Sequence, residues 1–318
     1  MAVNYPKVDI IICSYRNKDL TAKCLDSLLN SIYTDYRIIL VDDDSPDDSV
    51  AFFKQNYPTI TIIENSINLG AALARNVGID AGQAEYVVTM DNDASLSPAW
   101  LGQMVELMDA DKTIGQAVGK ILFADKPDII AAAGGSMFFR GKGYDIGQGN
   151  DANDAKYNQP RNVLFACSAA MIVRREILQA VGGFYGGFFH GYEDVDLSLR
   201  INIAGYRVFY YPSATSYHLI SATIADTIKR RHSTYLFMRN RLLIMLRNYE
   251  LKSLVKYLPL NLRFNLRLCL DNRENIWPFI LSHFSFIREI PNIIRARRLL
   301  NKIRTATDRQ LESLFNLD

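Results

Sequence analysis

Short apolar, β-branched runs punctuate the first hundred residues at 8–13, 37–41, 60–63 and 86–90. Runs of this length without polar alternation are characteristic of strands buried on both faces of a parallel sheet. Between them the spacing becomes helical. Residues 18–31 bring Leu20, Cys24, Leu28 and Leu29 to one side, and 49–56 and 71–81 are the next two helices. Strand and helix in alternation predict a doubly wound α/β sheet. Ligands of such sheets bind beyond the carboxyl ends of the strands, so the residues just after each strand are where chemistry is expected.

Past Asp91 the rhythm loosens. Residues 100–108 read as a helix, and 115–123, 136–139 and 169–173 as strands. Residues 140–160 (RGKGYDIGQGNDANDAKYNQP) are rich in Gly, Asp and Asn and predict a mobile loop. A glycine-rich loop, a helix with an acidic first turn and a strand follow between 182 and 218. Beyond Ser221 the pattern is helical and basic, and no internal repeat is visible.

Composition adds mainly a charge division. The 318 residues are 49% hydrophobic and 22% charged, which excludes wholesale disorder, collagen and coiled coil. The net charge of +2 conceals two parts: residues 1–218 carry 18 Lys/Arg against 26 Asp/Glu (−8), and residues 219–318 carry 18 against 8 (+10). An acidic body with a basic tail points to phosphate or anionic lipid. Cys13, Cys24, Cys167 and Cys269 form no C-x-x-C pair, so a reducing cytoplasm fits better than a disulfide framework. The opening MAVNYPKVDIIICSYRN is weak for a signal peptide, and no stretch supplies the ~20 apolar residues of a membrane span. A soluble or peripheral protein is expected.

The strands end in polar groups. Cys13-Ser14-Tyr15-Arg16 follows the first, Asp42-Asp43-Asp44-Ser45 the second, Asn68-Leu69-Gly70 lies after the third, and Asp91-Asn92-Asp93 follows the fourth. Crowded carboxylates repel unless a cation or a donor-rich ligand compensates. Asp91 and Asp93 can direct hard oxygen ligands at one Mg²⁺ or Mn²⁺. The same D-N-D can equally be a turn capping a following helix, since Asp and Asn favour both.

The order VDIIICSYRN, LVDDDSPDDS, NLGAALARNVG, TMDNDA and GFFHGYEDVDLSLRINIAGYRVFYYPSATSYH is more specific than any one motif. Over roughly the first 220–245 residues the chain resembles glycosyltransferase family 2. That resemblance implies the A-type glycosyltransferase fold, a Rossmann-like nucleotide-diphospho-sugar-binding mixed sheet flanked by helices. Here it would carry a C-terminal helical extension. The long aromatic loop before Glu193-Asp194 and the following RRHSTYLFMRNRLLIMLRNY look most like bacterial rhamnosyltransferase-type members of polysaccharide biosynthesis.

The resemblance implies inverting, metal-dependent transfer of a sugar from a UDP- or dTDP-sugar donor to a polyprenyl-diphosphate-linked glycan acceptor. Asp93 would contact the Mn²⁺ or Mg²⁺, with His218 as a second ligand, and Asp91 would lie nearer the ribose and sugar. Asp194 would be the general base and Glu193 its neighbour and acceptor-binding group. Crowding by Glu193 and Asp196 would raise the proton affinity of Asp194. Asp42 would accept a hydrogen bond from the pyrimidine, with Tyr15 packing near the base and Arg75 reaching the same region. Cys13 stands where relatives often have Thr. Helix capping remains open for the Glu193-Asp194-Asp196 group, and a plain strand end for His218.

The implied division is a catalytic domain over 1–220, with nucleotide-sugar binding in 1–95 and acceptor binding in 96–220, then a basic amphipathic extension over 221–318. That extension can lie on an anionic membrane at the inner face of the cell membrane. It can equally pack on the catalytic domain or on a second copy as a homo-oligomer. The aromatics at 184–189 can face a sugar or fill a core. No nucleic-acid recognition motif accompanies the charge. A nucleotidyltransferase would need a glycine-rich loop where CSYRNKDL has none, and a dehydrogenase would need G-x-G-x-x-G. An inactive nucleotide-sugar-binding or scaffold protein predicts missing carboxylates, yet Asp91, Asp93 and Asp194 are all present.

Overall fold

A computed structural model describes residues 7–219, 230–271, 274 and 276–316. The first half follows the predicted alternation: β1 (Val8–Ser14), α1 (Lys18–Leu29), β2 (Tyr36–Asp42), α2 (Ser49–Asn56), β3 (Thr61–Glu64), α3 (Ala71–Asp80) and β4 (Tyr86–Asp91). Strands β4, β1, β2 and β3 lie side by side and parallel. Side chains alternate across β1: Ile11 joins the core beneath α3, while Ile10 and Ile12 pack with Cys24, Leu25 and Leu28 of α1. Burial on both faces explains why the strand reads as an unbroken apolar run.

Beyond β4 the sheet becomes mixed. It continues through β11 (Ala170–Arg174), β6 (Ile114–Phe123), β12 (Arg207–His218) and β10 (Arg161–Asn162), with β7 (Lys126–Ala132) also on β6. Strand β11 is antiparallel to both neighbours. Helix α4 (Trp100–Ala110) covers one face; α5 (Arg175–Ala180) and α6 (Glu193–Ile203) belong to the other.

Short α5 and β10 were not expected, and three further features depart from the sequence reading. The D-N-D segment caps no helix: it turns the chain from β4 into β5 (Ala94–Leu96), which pairs with the end of β12 so that His218 faces Ala94. Strand β7 was not expected. The glycine-rich 140–160 segment is hydrogen-bonded rather than open. Within it, β9 (Gly143–Asp145) pairs with β8 (Gly135–Met137), Ala133 N–H donates to Ile146 O at 2.8 Å, and Ile146 N–H to Gly134 O at 2.9 Å.

Among the described residues beyond β12, three α-helices follow: α7 (Arg230–Asn248), α8 (Leu251–Asp271) and α9 (Ile276–Ile303). Their inner faces form a third core with α6 and the β8 region, where Leu199, Ile203, Leu243, Ile244, Tyr249 and Leu300 meet Phe139. Among the described residues, no helix is long and apolar enough to cross a membrane.

Candidate active site

A cavity of about 1020 Å³ opens beyond the carboxyl ends of β1, β2 and β4, the position at which α/β sheets bind ligands. Its wall includes Tyr15 after β1, Asp43 after β2, Gly70 and Arg75 at the start of α3, and 91–93 after β4. Asp145 comes from β9, 189–195 from the start of α6, His218 from the end of β12, and Phe237 and Arg241 from α7. All five non-glycine residues with positive φ among the described residues, Arg16, Asn17, Asp44, Phe189 and Tyr192, fall in the loops that build this wall or adjoin it. Such backbone strain persists only where surrounding structure enforces it, and active sites are where it gathers.

One corner holds Asp91, Asp93 and His218. His218 Nε2 lies 3.0 Å from Asp93 Oδ1 and 3.8 Å from Asp91 Oδ2. One ligand atom from each of the three residues lies within 4.8 Å of the others, so the group can hold a metal ion. The β5–β12 pairing produces this contact by bringing residues 125 apart in sequence together. Burial disfavours the imidazolium, but hydrogen bonding to Asp93 and the Asp91 charge raise the His218 pKa overall.

Arg75 stands between this corner and α6. Its guanidinium is only 2% exposed; Nη2 donates to Asp91 Oδ1 at 2.6 Å and Nη1 to Glu193 Oε1 at 2.7 Å. Burial works against the Asp91 carboxylate, yet the Arg75 and His218 charges hold it below its ordinary value. Arg75, expected to reach toward the nucleotide, borders the cavity, with Nη1 and Nη2 on the two carboxylates.

Asp194 borders the same cavity. Its Oδ2 accepts the Ser168 N–H at 3.1 Å and its Oδ1 the Val195 N–H at 2.8 Å. Burial pushes its carboxyl up to about 7, and the Glu193 charge adds to the effect, while these N–H groups and Arg75 oppose it. Asp196 does not contribute to that crowding. It is wholly buried on the far side of the helix, bound by Arg200, Arg247 and Asn248.

The donor-side loops divide the aspartates. Asp42 is absent from the cavity wall; its Oδ1 accepts the Ser45 N–H at 2.9 Å, closing the turn after β2. Asp43 borders the cavity instead, accepting from Asn65 Nδ2, Leu69 N–H and Gly70 N–H. Gly70 cannot be replaced freely: φ is +78°, and a Cβ there would meet Phe189 Cδ2 at 2.7 Å. Burial pushes the Cys13 thiol up to about 12, so it faces the cavity uncharged.

Two groups escaped the sequence reading. Asp145 borders the cavity from β9, and burial pushes its carboxyl up to about 6 despite the opposing His218 charge. Its setting among glycines gave no signal. The other is the inward side of α7. Asn240 Nδ2 donates to the carbonyls of Phe188, His190 and Gly191, and Arg241 Nε to the Tyr192 hydroxyl at 3.0 Å. This helix therefore holds the strained loop that presents Glu193 and Asp194.

A sequence profile described as glycosyl transferase family 2 matches residues 9–182. Poly(ribitol-phosphate) beta-glucosyltransferase of Bacillus spizizenii is 39% identical over 93 residues, 27% of this chain and 15% of that protein. Pre-mycofactocin glycosyltransferase of Mycobacterium tuberculosis is 28% identical over 197 residues, 61% of this chain and 40% of that protein. The chain spans between 15% and 38% of the length of the first curated relatives it matches. Among solved structures, GalNAc-T7 with UDP, GalNAc and Mn²⁺ superposes with a TM-score of 0.65 at 13% identity, covering 91% of this chain and 58% of that one. The likeness at that identity is one of fold, and the fold is the A-type glycosyltransferase fold.

Proposed function

The chain belongs to glycosyl transferase family 2, and from that premise we propose that it is an inverting, metal-dependent glycosyltransferase. The donor is a UDP- or dTDP-linked hexose, rhamnose among the candidates. The acceptor is a hydroxyl of a growing, lipid-linked surface polysaccharide at the inner face of the cell membrane. One observation carries the reading: Asp194, with its carboxyl at about 7, borders the same cavity as the Asp91–Asp93–His218 group. GalNAc-T7 was crystallised with UDP and Mn²⁺, and the Bacillus relative is named for a poly(ribitol-phosphate); both support the substrate class.

Two carboxylates and an imidazole suit Mn²⁺, with Mg²⁺ as the alternative, and Asp91, Asp93 and His218 would hold it. When bound, such an ion supplies positive charge against the departing diphosphate. The chain's own residues do the rest. Asp194 takes the proton as the acceptor O–H bond breaks, and the acceptor oxygen bonds to the anomeric carbon. The bond from that carbon to the diphosphate oxygen breaks, and its electron pair leaves with the diphosphate. A single displacement inverts the anomeric centre. A carboxyl poised near neutral pH suits this role, because it is ionised when needed and basic enough to accept a proton.

Glu193, fixed by Arg75, positions the acceptor side, and Asp91 with Arg75 closes the floor beneath the donor sugar. Tyr15 packs near the base, while Asp43 replaces Asp42 as the aspartate at the nucleotide end of the cavity. Residues 1–95 serve the donor and 96–220 the acceptor, and α7 belongs to the catalytic unit. The test is incubation of the full chain with UDP- and dTDP-sugars, with and without Mn²⁺, followed by product analysis. A metal-dependent product of inverted anomeric configuration is expected; a retained configuration would rule out the single displacement.

A further inference from the structure

Fourteen of the twenty-one large hydrophobic side chains that are exposed among the described residues lie on α8 and α9. On α8, Leu251, Val255, Leu262, Leu266 and Leu270 follow one face, with Val255 80% and Leu270 76% exposed, and Leu260 stands apart from them. The neighbouring face, carrying Tyr257, Asn261 and Asn265, is buried, with Asn261 Nδ2 donating to Arg140 O. On α9, Trp277, Leu281, Phe284 and Ile287 recur at three- and four-residue spacing, each more than half exposed, while Ser282, Ile293 and Leu300 point inward. Each helix is held by one side and offers an apolar stripe on another. Soluble surfaces seldom gather apolar groups in this way.

Charge identifies the partner. Lys252, Lys256, Arg263 and Arg267 stand exposed on α8, and Arg288, Arg295, Arg298 and Lys302 on α9, against two exposed acidic residues among the described ones, Asp271 at the end of α8 and Glu274 between the helices. A second copy of the chain could cover the apolar stripes but would bring the same positive charge against them. A nucleic acid would match the charge and leave the leucines and Trp277 without apolar partners. A bilayer containing anionic lipid satisfies both at once, by hydrophobic burial and Coulomb attraction. We infer that the outer face of α8 and α9 docks on an anionic lipid surface, lying in its plane. The contact does not depend on catalysis. Its consequence rests on the transferase reading, since a docked enzyme meets a lipid-anchored acceptor in two dimensions while its donor arrives from solution.

The chain supplies its own reporter. Of its two tryptophans, Trp100 is fully buried and Trp277 is 68% exposed. Vesicles of phosphatidylcholine containing phosphatidylglycerol should blue-shift the emission and co-sediment the full chain, whereas phosphatidylcholine alone should do neither. Trp277→Phe should abolish the shift but retain most of the sedimentation. Neutralising Arg288, Arg295 and Arg298 together to Gln should weaken partition about a hundredfold, taking about fivefold per cation at the surface. Leu266→Glu with Phe284→Glu should also release the protein, with thermal melting showing both variants folded. Wild-type protein left in the supernatant with anionic vesicles would overturn the inference, as would undiminished binding of both variants. So would a lipid-free dimer that already shields Trp277. Vesicle binding that persists when no sugar donor yields product would count against the transferase reading alone.

Discussion

Arg75 Nη1 donates to Glu193 Oε1 at 2.7 Å across 118 positions of sequence, and the same guanidinium holds Asp91. An arginine of α3 thereby fixes the carboxylate adjoining Asp194 relative to the D-N-D corner. Arg75 and Glu193 are buried, which is tolerable because each has a charged partner, while Asp91 is a third exposed.

Removing that partner should be costly. Arg75→Met leaves the buried Glu193 carboxylate without its partner, for which about 3–5 kcal/mol of lost stability is expected. Urea unfolding measures it. Arg75→Lys keeps the charge but lacks the two-pronged geometry, so its loss should be smaller. A variant as stable as wild type would show that the bridge contributes nothing.

Asp194→Asn separates activity from stability. Losing the proton acceptor should lower turnover about 10²–10⁴-fold, while calorimetric binding of the nucleotide donor stays intact. The stability sign is opposite. A carboxyl raised to about 7 contributes stability below its ordinary value near 3.8, and that contribution is lost as pH rises through about 7. The Asn variant should therefore melt higher than wild type above that pH and lose this advantage in mild acid. Equal melting temperatures throughout would contradict the raised value.

Metal removal tests the Asp91–Asp93–His218 corner. Titration calorimetry with Mn²⁺ should give one site on the full chain. Asp93→Ala and His218→Ala should each weaken it by at least about tenfold, and chelation should weaken nucleotide binding in wild type only. Unchanged Mn²⁺ affinity in both variants would remove these residues as ligands.

Gly70→Ala tests the contact between the donor loop and the acceptor loop. With φ at +78° and Phe189 Cδ2 2.7 Å from the added carbon, the backbone must shift. A loss above about 1 kcal/mol is expected, with weaker donor binding because Gly70 N–H anchors Asp43. Donor affinity equal to wild type would separate the two loops.

The legible parts of the fold were those with strong local patterning. Strands β1, β2 and β4 are largely buried, so each announces itself as an apolar run, and edge strand β3 still shows the short Ile-rich run at 60–63. Asp91, Asp93 and Asp194 stand in motifs whose order along the chain indicates the family. What stayed hidden depends on long-range pairing or on a single turn. The resemblance already paired His218 with Asp93, but the element that joins them, three-residue β5 on β12, is too short to show a period. Asp42 and Asp43 are chemically identical neighbours, and the turn through Asp44, at φ 68°, decides which one faces the cavity. Asp145 lies among glycines that read as loop but form a ladder. Arg239 and Arg247 looked like surface charge, yet the first binds Glu289 and the second Asp196.

Titrating the Asp194 carboxyl by carbon-13 NMR alongside the pH dependence of transfer reaches the central claim most directly. The account predicts that the resonance titrates at about 7 and that kcat/KM falls on the acid side with the same midpoint. A carboxyl titrating near the ordinary value of about 4, or an acid limb that survives unchanged in Asp194→Asn, would contradict it.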